Sequence, residues 1–260
     1  MHYVVLALAP GALILWWVCV KDKYEPEPAR LLWGTVGLGA LSCVWALGVE
    51  CGGVALGILP APMHGEGMPL ARALLAASFI GLAEESGKLL AVLALPFRRP
   101  AFNQWMDGIV YCVAAALGFA SLENLQYVVG GLGGPLGPTG ALVVGGVRAV
   151  TAVPGHAVYG VIMGVWTGAA RMVPARRGRY LALALVCSAS AHAAYDAALF
   201  THTALGWLIV PLLIGLAVFS VRAVGAAQRH DADYSRRFWG WRARIDSAAR
   251  ERHRPADREA

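Results

Sequence analysis

The stretch Gly81-Leu82-Ala83-Glu84-Glu85-Ser86-Gly87-Lys88-Leu89-Leu90 sets two adjacent carboxylates and a lysine inside an apolar run from about Leu70 to Leu95. A run of that length crosses the hydrocarbon of a bilayer as a single helix. Each charge at the centre of such a helix costs about 2.5–3.5 kcal/mol on insertion scales, so the cluster needs partners or a task. On a helix Glu84 and Lys88 are i,i+4 and Glu85 and Lys88 are i,i+3. The lysine therefore reaches both acids and offsets part of their desolvation. A self-neutralising ion pair is the plainer use, but two acids against one base leave a carboxylate over.

The remainder of the chain fits a membrane setting. Of its 260 residues 58% are hydrophobic and 15% charged, and the mean hydropathy is +0.57. This predicts an all-α, polytopic helix bundle in the cell membrane and excludes a soluble domain. The five cysteines, Cys19, Cys43, Cys51, Cys112 and Cys187, lie in or near apolar runs, form no CxxC pair and are odd in number. They support neither a disulfide framework nor a thiolate metal site. A formal net charge of +6 does not signal nucleic acid, because the basic residues mark one side of a membrane.

Seven transmembrane helices are expected. Met1 to Val20 has no basic residue before it and Lys21-Asp22-Lys23 directly after, the pattern of an uncleaved first span rather than a signal peptide. The further spans are Leu31–Leu59, the acid-bearing run, Gly108–Val129, Ala141–Ala170, Tyr180–Phe200 and Leu205–Val221. Pro154-Gly155 should kink the fifth and free backbone groups beside His156. Connections one, three and five and the C-terminal tail hold three, two, four and ten basic residues, whereas connections two, four and six hold none. That alternation predicts an N-terminus outside and a C-terminus inside. The chain thus divides into a transmembrane domain, residues 1–221, and a basic cytoplasmic tail, residues 222–260. Phe238, Trp241 and Ile245 at helical spacing predict that the tail begins as an interfacial helix and ends disordered.

Polar residues recur at matching depth in other spans. In the fourth, Phe119, Glu123 and Tyr127 share a face with Asn124 beside it. The fifth carries His156, with Arg148 two i+4 steps earlier, and the sixth carries Ser188, His192 and Asp196 at i+4 spacing. At about 1.5 Å per residue from the cytoplasmic ends, Glu84, His192, His156 and Glu123 lie at roughly 16, 18, 21 and 22 Å. Four ionisable groups from four helices therefore share one plane to within about a helical turn. Singly each has a plainer use: His156 or Tyr127 in packing, Arg148 in neutralising a carboxylate, Asp196 in orienting His192. His2, His64, His202, His230 and His253 lie at loops or ends and are expected to take no part.

Such a set supports two chemistries. A carboxylate acts as general base on water while imidazoles stabilise the oxyanion. Alternatively, Glu84, Glu123, His156 and His192 hold Zn²⁺ with an open position, which lowers the pKa of its bound water. Serine or aspartyl chemistry lacks its motifs here, apart from Ser188 near His192. Intramembrane carboxylates also build ion relays, so a proton- or cation-coupled transporter is the alternative to a hydrolase, and a catalytically silent scaffold is a third.

At these residues the sequence resembles the PrsW family of intramembrane proteases. The matching pieces are Asp22-Lys23-Tyr24-Glu25-Pro26-Glu27-Pro28, the EExxK of Glu84, Glu85 and Lys88, and Asp107-Gly108 leading into FxxxENxxY. Pro154-Gly155-His156-Ala157 and the HxxxD of His192 and Asp196 follow in order. The wider superfamily includes CAAX prenyl endopeptidases and Abi-type proteins. The resemblance implies hydrolysis of a peptide bond in a single-pass membrane protein such as an anti-sigma factor. It assigns Glu84, Glu85, His156 and His192 to catalysis, with Lys88, Glu123, Asn124, Tyr127 and Asp196 supporting them; Arg148 joins the supporting set through its place two i+4 steps before His156. It implies either Zn²⁺ or a metal-free glutamate mechanism, since the related prenyl endopeptidases are argued to work without metal. Gly87 within EExxK departs in helix propensity rather than in chemistry, and the tail lies outside the resemblance.

Overall fold

The computed structural model describes residues 2–23, 25–60 and 67–252, with side chains through residue 233. The described residues form eight α-helices and no strand, as expected where apolar segments must satisfy their backbone groups internally. They are α1 (His2–Lys21), α2 (Ala29–Ala55), α3 (Leu70–Ala94), α4 (Trp105–Gly133), α5 (Gly137–Val150), α6 (Ala152–Met172), α7 (Arg177–Phe200) and α8 (Ile209–Arg252). Six segments are long and apolar enough to cross a membrane: α1, α2, α4, α5 with α6, α7, and the first part of α8. The 25-residue α3 matches them in length but carries Arg72, Glu84, Glu85 and Lys88.

Helix α4 is the axis of the bundle. Every residue from Met106 through Ala120 is buried, and α4 packs against α1, α2, α3, α5, α6 and α8. Small residues let the backbones close in. A Cβ on Gly164 of α6 would lie 2.5 Å from Ile109 Cα, and one on Gly39 of α2 would lie 2.1 Å from Ala115 O. Lipid does not drive apolar helices together, so such close contact is the main source of cohesion. The outer helices turn Leu41, Trp45, Leu75, Leu82, Val143 and Val186 outward, as a lipid-facing surface requires.

The fifth span breaks three residues earlier than the proline suggests. The break is at Thr151 (φ −122°, ψ −70°), between α5 and α6, and Pro154 sits in the first turn of α6. A proline there forfeits no hydrogen bond, because a first-turn N–H has no intrahelical partner. The break brings Arg148 and His156, on different helices, to one carboxylate.

At the other end, α8 continues past Arg222 without interruption. Gln228 donates to Lys21 O (2.5 Å), and Asp231 accepts from the backbone N–H groups of Trp105 (3.0 Å) and Met106 (2.9 Å), capping α4. The face of Phe238, Trp241 and Ile245 lies outside the described side chains, and residues 253–260 lie outside the described residues. In the α1–α2 connection Glu25 holds Asn103 (3.3 Å) and Gln104 (3.2 Å), while Glu27 turns inward. Burial, followed by the nearby charge of Asp107, pushes the Asp22 carboxyl up to about 7 and the Glu27 carboxyl up to about 9.

Candidate active site

Helix α3 delivers Glu84, Glu85 and Lys88 to the face shared by α4, α6 and α7. Lys88 is fully buried, and its ammonium is the hub. It donates to Glu85 Oε1 (2.7 Å), Glu84 Oε2 (3.1 Å) and His156 Nδ1 (3.0 Å), and it lies 4.0 Å from the centre of the Phe119 ring. Those three contacts use all the hydrogens of an ammonium group. Because lysine can only donate, His156 Nδ1 accepts, and the ring proton sits on Nε2 facing Glu123 Oε2 at 2.9 Å.

His192 of α7 faces carboxylates on both sides. Its Nδ1 lies 3.0 Å from Glu85 Oε1 and 3.8 Å from Glu84 Oε2, and its Nε2 lies 3.4 Å from Asp196 Oδ2. Close approach of α3 and α7 permits this: a Cβ on Gly81 would stand 3.0 Å from Ala189 O. Tyr159 of α6 stacks on His192 with ring centroids 4.9 Å apart. Glu123 is clamped by Arg148 (2.7 Å), whose Nε donates to Asn124 Oδ1 (2.8 Å) and whose guanidinium lies 3.8 Å from the centre of the Tyr127 ring. Asn124 in turn donates to Ala7 O of α1 (3.1 Å). Every expected site residue therefore belongs to one connected assembly.

A cavity of about 640 Å³ reaches this assembly. Glu84, Glu123, His156, His192 and Asp196 line it, whereas Glu85 and Lys88 do not. It extends to Glu50, Gly131 and Phe200 at the ends of α2, α4 and α7, opposite the basic connections. Sequence reasoning missed Glu50, Tyr159 and Tyr195. Glu50, near the end of the second span, was the most visible of them as an acid without a nearby base. Ser188 does not line the cavity, and its hydroxyl donates to Ala184 O (2.7 Å) within its own helix. His2, His202 and His230 do not line the cavity, and His64 and His253 lie outside the described residues.

The residues present fit a metal ion. Glu84, Glu85, His156 and His192 are all buried and each offers one donor atom, the four lying within 4.8 Å of one another. Two imidazoles with carboxylates are a zinc-type donor set, and Glu85 Oε2 is buried without a partner. The Lys88 ammonium already bonds three of these four residues, at Glu84 Oε2, Glu85 Oε1 and His156 Nδ1, so a metal using those atoms would take the place of the ammonium. Glu123 instead engages the opposite nitrogen of His156.

Buried carboxylates and imidazoles around a cavity within a membrane bundle suit either an intramembrane hydrolase or an ion relay, and comparison with known proteins decides between them. A family model described as PrsW family intramembrane metalloprotease matches residues 27–224. The chain is 31% identical over 227 residues to Protease PrsW of Bacillus subtilis, covering 85% of this chain and 93% of that one. It is 29% identical over 227 residues to Protease PrsW of Halalkalibacterium halodurans, covering 86% and 96%, and 29% identical over 221 residues to that of Geobacillus kaustophilus, covering 85% and 90%. No solved structure matches it. The chain belongs to the PrsW family, and it is a multi-pass membrane protease acting on membrane-associated substrates. Family membership favours the hydrolase over the transporter and the scaffold.

Proposed function

We propose that the chain cleaves a single-pass membrane protein, such as an anti-sigma factor, with Glu84 as general base on the attacking water. The observation that carries this reading is the division of labour between adjacent acids. Glu84 faces the cavity, whereas Glu85 is fully buried behind it, between Lys88 and His192. Glu85 thus positions, and Glu84 meets substrate. A water beside Glu84 loses its proton to the carboxylate as it attacks the scissile carbonyl. His192, with Asp196 behind one nitrogen and Tyr159 stacked on its ring, lies beside the same cavity and supports the developing oxyanion. His156, held in one tautomer between Lys88 and Glu123, contributes a second imidazole.

A metal, for which Zn²⁺ is the candidate, would be held by Glu84, Glu85, His156 and His192. When bound it supplies a water of lowered pKa and polarises the carbonyl. The tail from residue 222 is assigned to the cytoplasmic surface, where its arginines meet anionic lipid.

Co-expression with a single-pass substrate tests the assignment. Glu84→Gln and His192→Ala each abolish cleavage while the protein still inserts and accumulates. Undiminished cleavage in both variants refutes it. Metal analysis of the purified protein, paired with chelator sensitivity of cleavage, separates the zinc mechanism from the metal-free one.

A further inference from the structure

At the end of the bundle carrying the basic connections, three carboxylates from separate parts of the chain converge. Asp22 lies one residue beyond α1, Glu27 lies in the α1–α2 connection, and Asp107 lies in the first turn of α4. One oxygen from each lies within 4.8 Å of the others. Two of the three are held from behind. Asp107 Oδ2 accepts from the backbone N–H groups of Asn103 (2.6 Å) and Gln104 (2.7 Å), and Glu27 Oε2 accepts from the Tyr111 hydroxyl. Four oxygens then remain buried with no hydrogen-bond partner among the described residues: Asp22 Oδ1 and Oδ2, Glu27 Oε1 and Asp107 Oδ1. Asp22 is 5% exposed and Asp107 1%. None of the three forms an ion pair with a described Lys, Arg or His.

We propose that Asp22, Glu27 and Asp107 bind one hard divalent cation of the Ca²⁺ or Mg²⁺ class. Grouped buried carboxylates repel one another and lose their hydration, and among the described residues no Lys, Arg or His side chain pairs with them to offset the charge. A doubly charged ion cancels most of the charge and uses the four free oxygens. An all-oxygen donor set without imidazole or thiolate selects a hard cation over zinc. Oxygens bound to one Ca²⁺ at about 2.4 Å stand at most about 4.8 Å apart, and one oxygen from each of the three acids lies within that limit. Asp107 and Glu123 are separated by about 24 Å along α4, so this site is distinct from the Glu/His group. The ion would fasten the end of α1 and the α1–α2 connection to the start of α4, the axis of the bundle.

The full chain in detergent, stripped of metal, tests this with Tb³⁺ as a luminescent Ca²⁺ substitute excited through aromatic residues, of which Tyr111 touches Glu27. Saturable emission displaced by Ca²⁺ is expected in the native chain and in Glu84→Gln, with affinity at least tenfold weaker in Asp22→Asn and in Glu27→Gln. Saturating Ca²⁺ is also expected to raise Tm by about 5 °C, a rise that Asp22→Asn removes. Three results overturn the proposal: no Ca²⁺-displaceable emission in the native chain; undiminished emission in both acid variants; or a Tm unmoved by Ca²⁺ and Mg²⁺ that Asp22→Asn raises, which assigns protons to the cluster. If the variants fail to fold, competition on the native chain decides alone. Each of these results leaves the protease reading untouched.

Discussion

Lys88 sets the charge balance of the candidate site. It neutralises one acid, shares itself with a second and fixes the tautomer of His156 through one ammonium group. Removing one member of a buried ion pair costs about 3–5 kcal/mol because the remaining charge has no solvent. Lys88→Met is therefore expected to lower stability by about that amount. Lys88→Met with Glu85→Gln should recover part of the loss, since it removes the carboxylate most deeply committed to the lysine. Thermal melts of the purified variants in detergent measure both, and equal loss in single and double variants would contradict the hub role. At this scale the sequence was highly legible, because charges inside apolar runs are rare enough to name themselves. Glu84, Glu85, Lys88, Glu123, Arg148, His156, His192 and Asp196 were all visible that way. Tyr159 was not: a tyrosine in an apolar helix looks the same whether it packs against leucine or stacks on His192.

Among elements, α4 and α6 decide whether the acids and imidazoles meet, and their contact is set by glycine. Gly108 and Gly164 oppose each other so closely that a Cβ on Gly164 would stand 2.5 Å from Ile109 Cα. Gly164→Val must push α6 away from α4, at about 1–3 kcal/mol for an overpacked core. His156 lies two helical turns from Gly164 on the same helix, so the shift also lengthens its 2.9 Å contact with Glu123. Tm should fall and cleavage should drop more than tenfold, whereas Gly146→Val, where a Cβ meets nothing within 4 Å, should leave both nearly unchanged. A protease assay on matched amounts of inserted protein compares them. Element boundaries were less legible than side chains. The break in the fifth span was expected at Pro154-Gly155 and occurs at Thr151, because proline excludes helix upstream of itself and is comfortable in a first turn. In the sequence Glu27 stands among the polar and proline residues between α1 and α2, and only the packing of that connection against α4 reveals its inward turn.

For the whole molecule, the two ends of the bundle differ in charge and in access. Lys21, Lys23, Arg30, Arg98, Arg99, Arg171, Arg176, Arg177 and Arg179 gather at one end, and the cavity extends toward the other, past Glu50 and Phe200. Positively charged connections stay on the cytoplasmic side, so the cavity is expected to face outward, with the N-terminus outside. A single cysteine at Gly134, between α4 and α5, should then react with a membrane-impermeant maleimide on intact cells, whereas one at Ala175, between α6 and α7, should react only after permeabilisation. The same orientation predicts where substrate is cut. A peptide reaching Glu84 through the open end enters from the outer half of the bilayer, so the scissile bond should lie at or near the outer boundary of the substrate's span. Moving the substrate's cleavage segment to the cytoplasmic boundary should abolish cutting, because Glu85, Lys88 and the buried core of α4 close that route. Mapping the new termini by mass spectrometry settles the matter, and a cut on the cytoplasmic side would overturn entry through the cavity past Glu50 and Phe200.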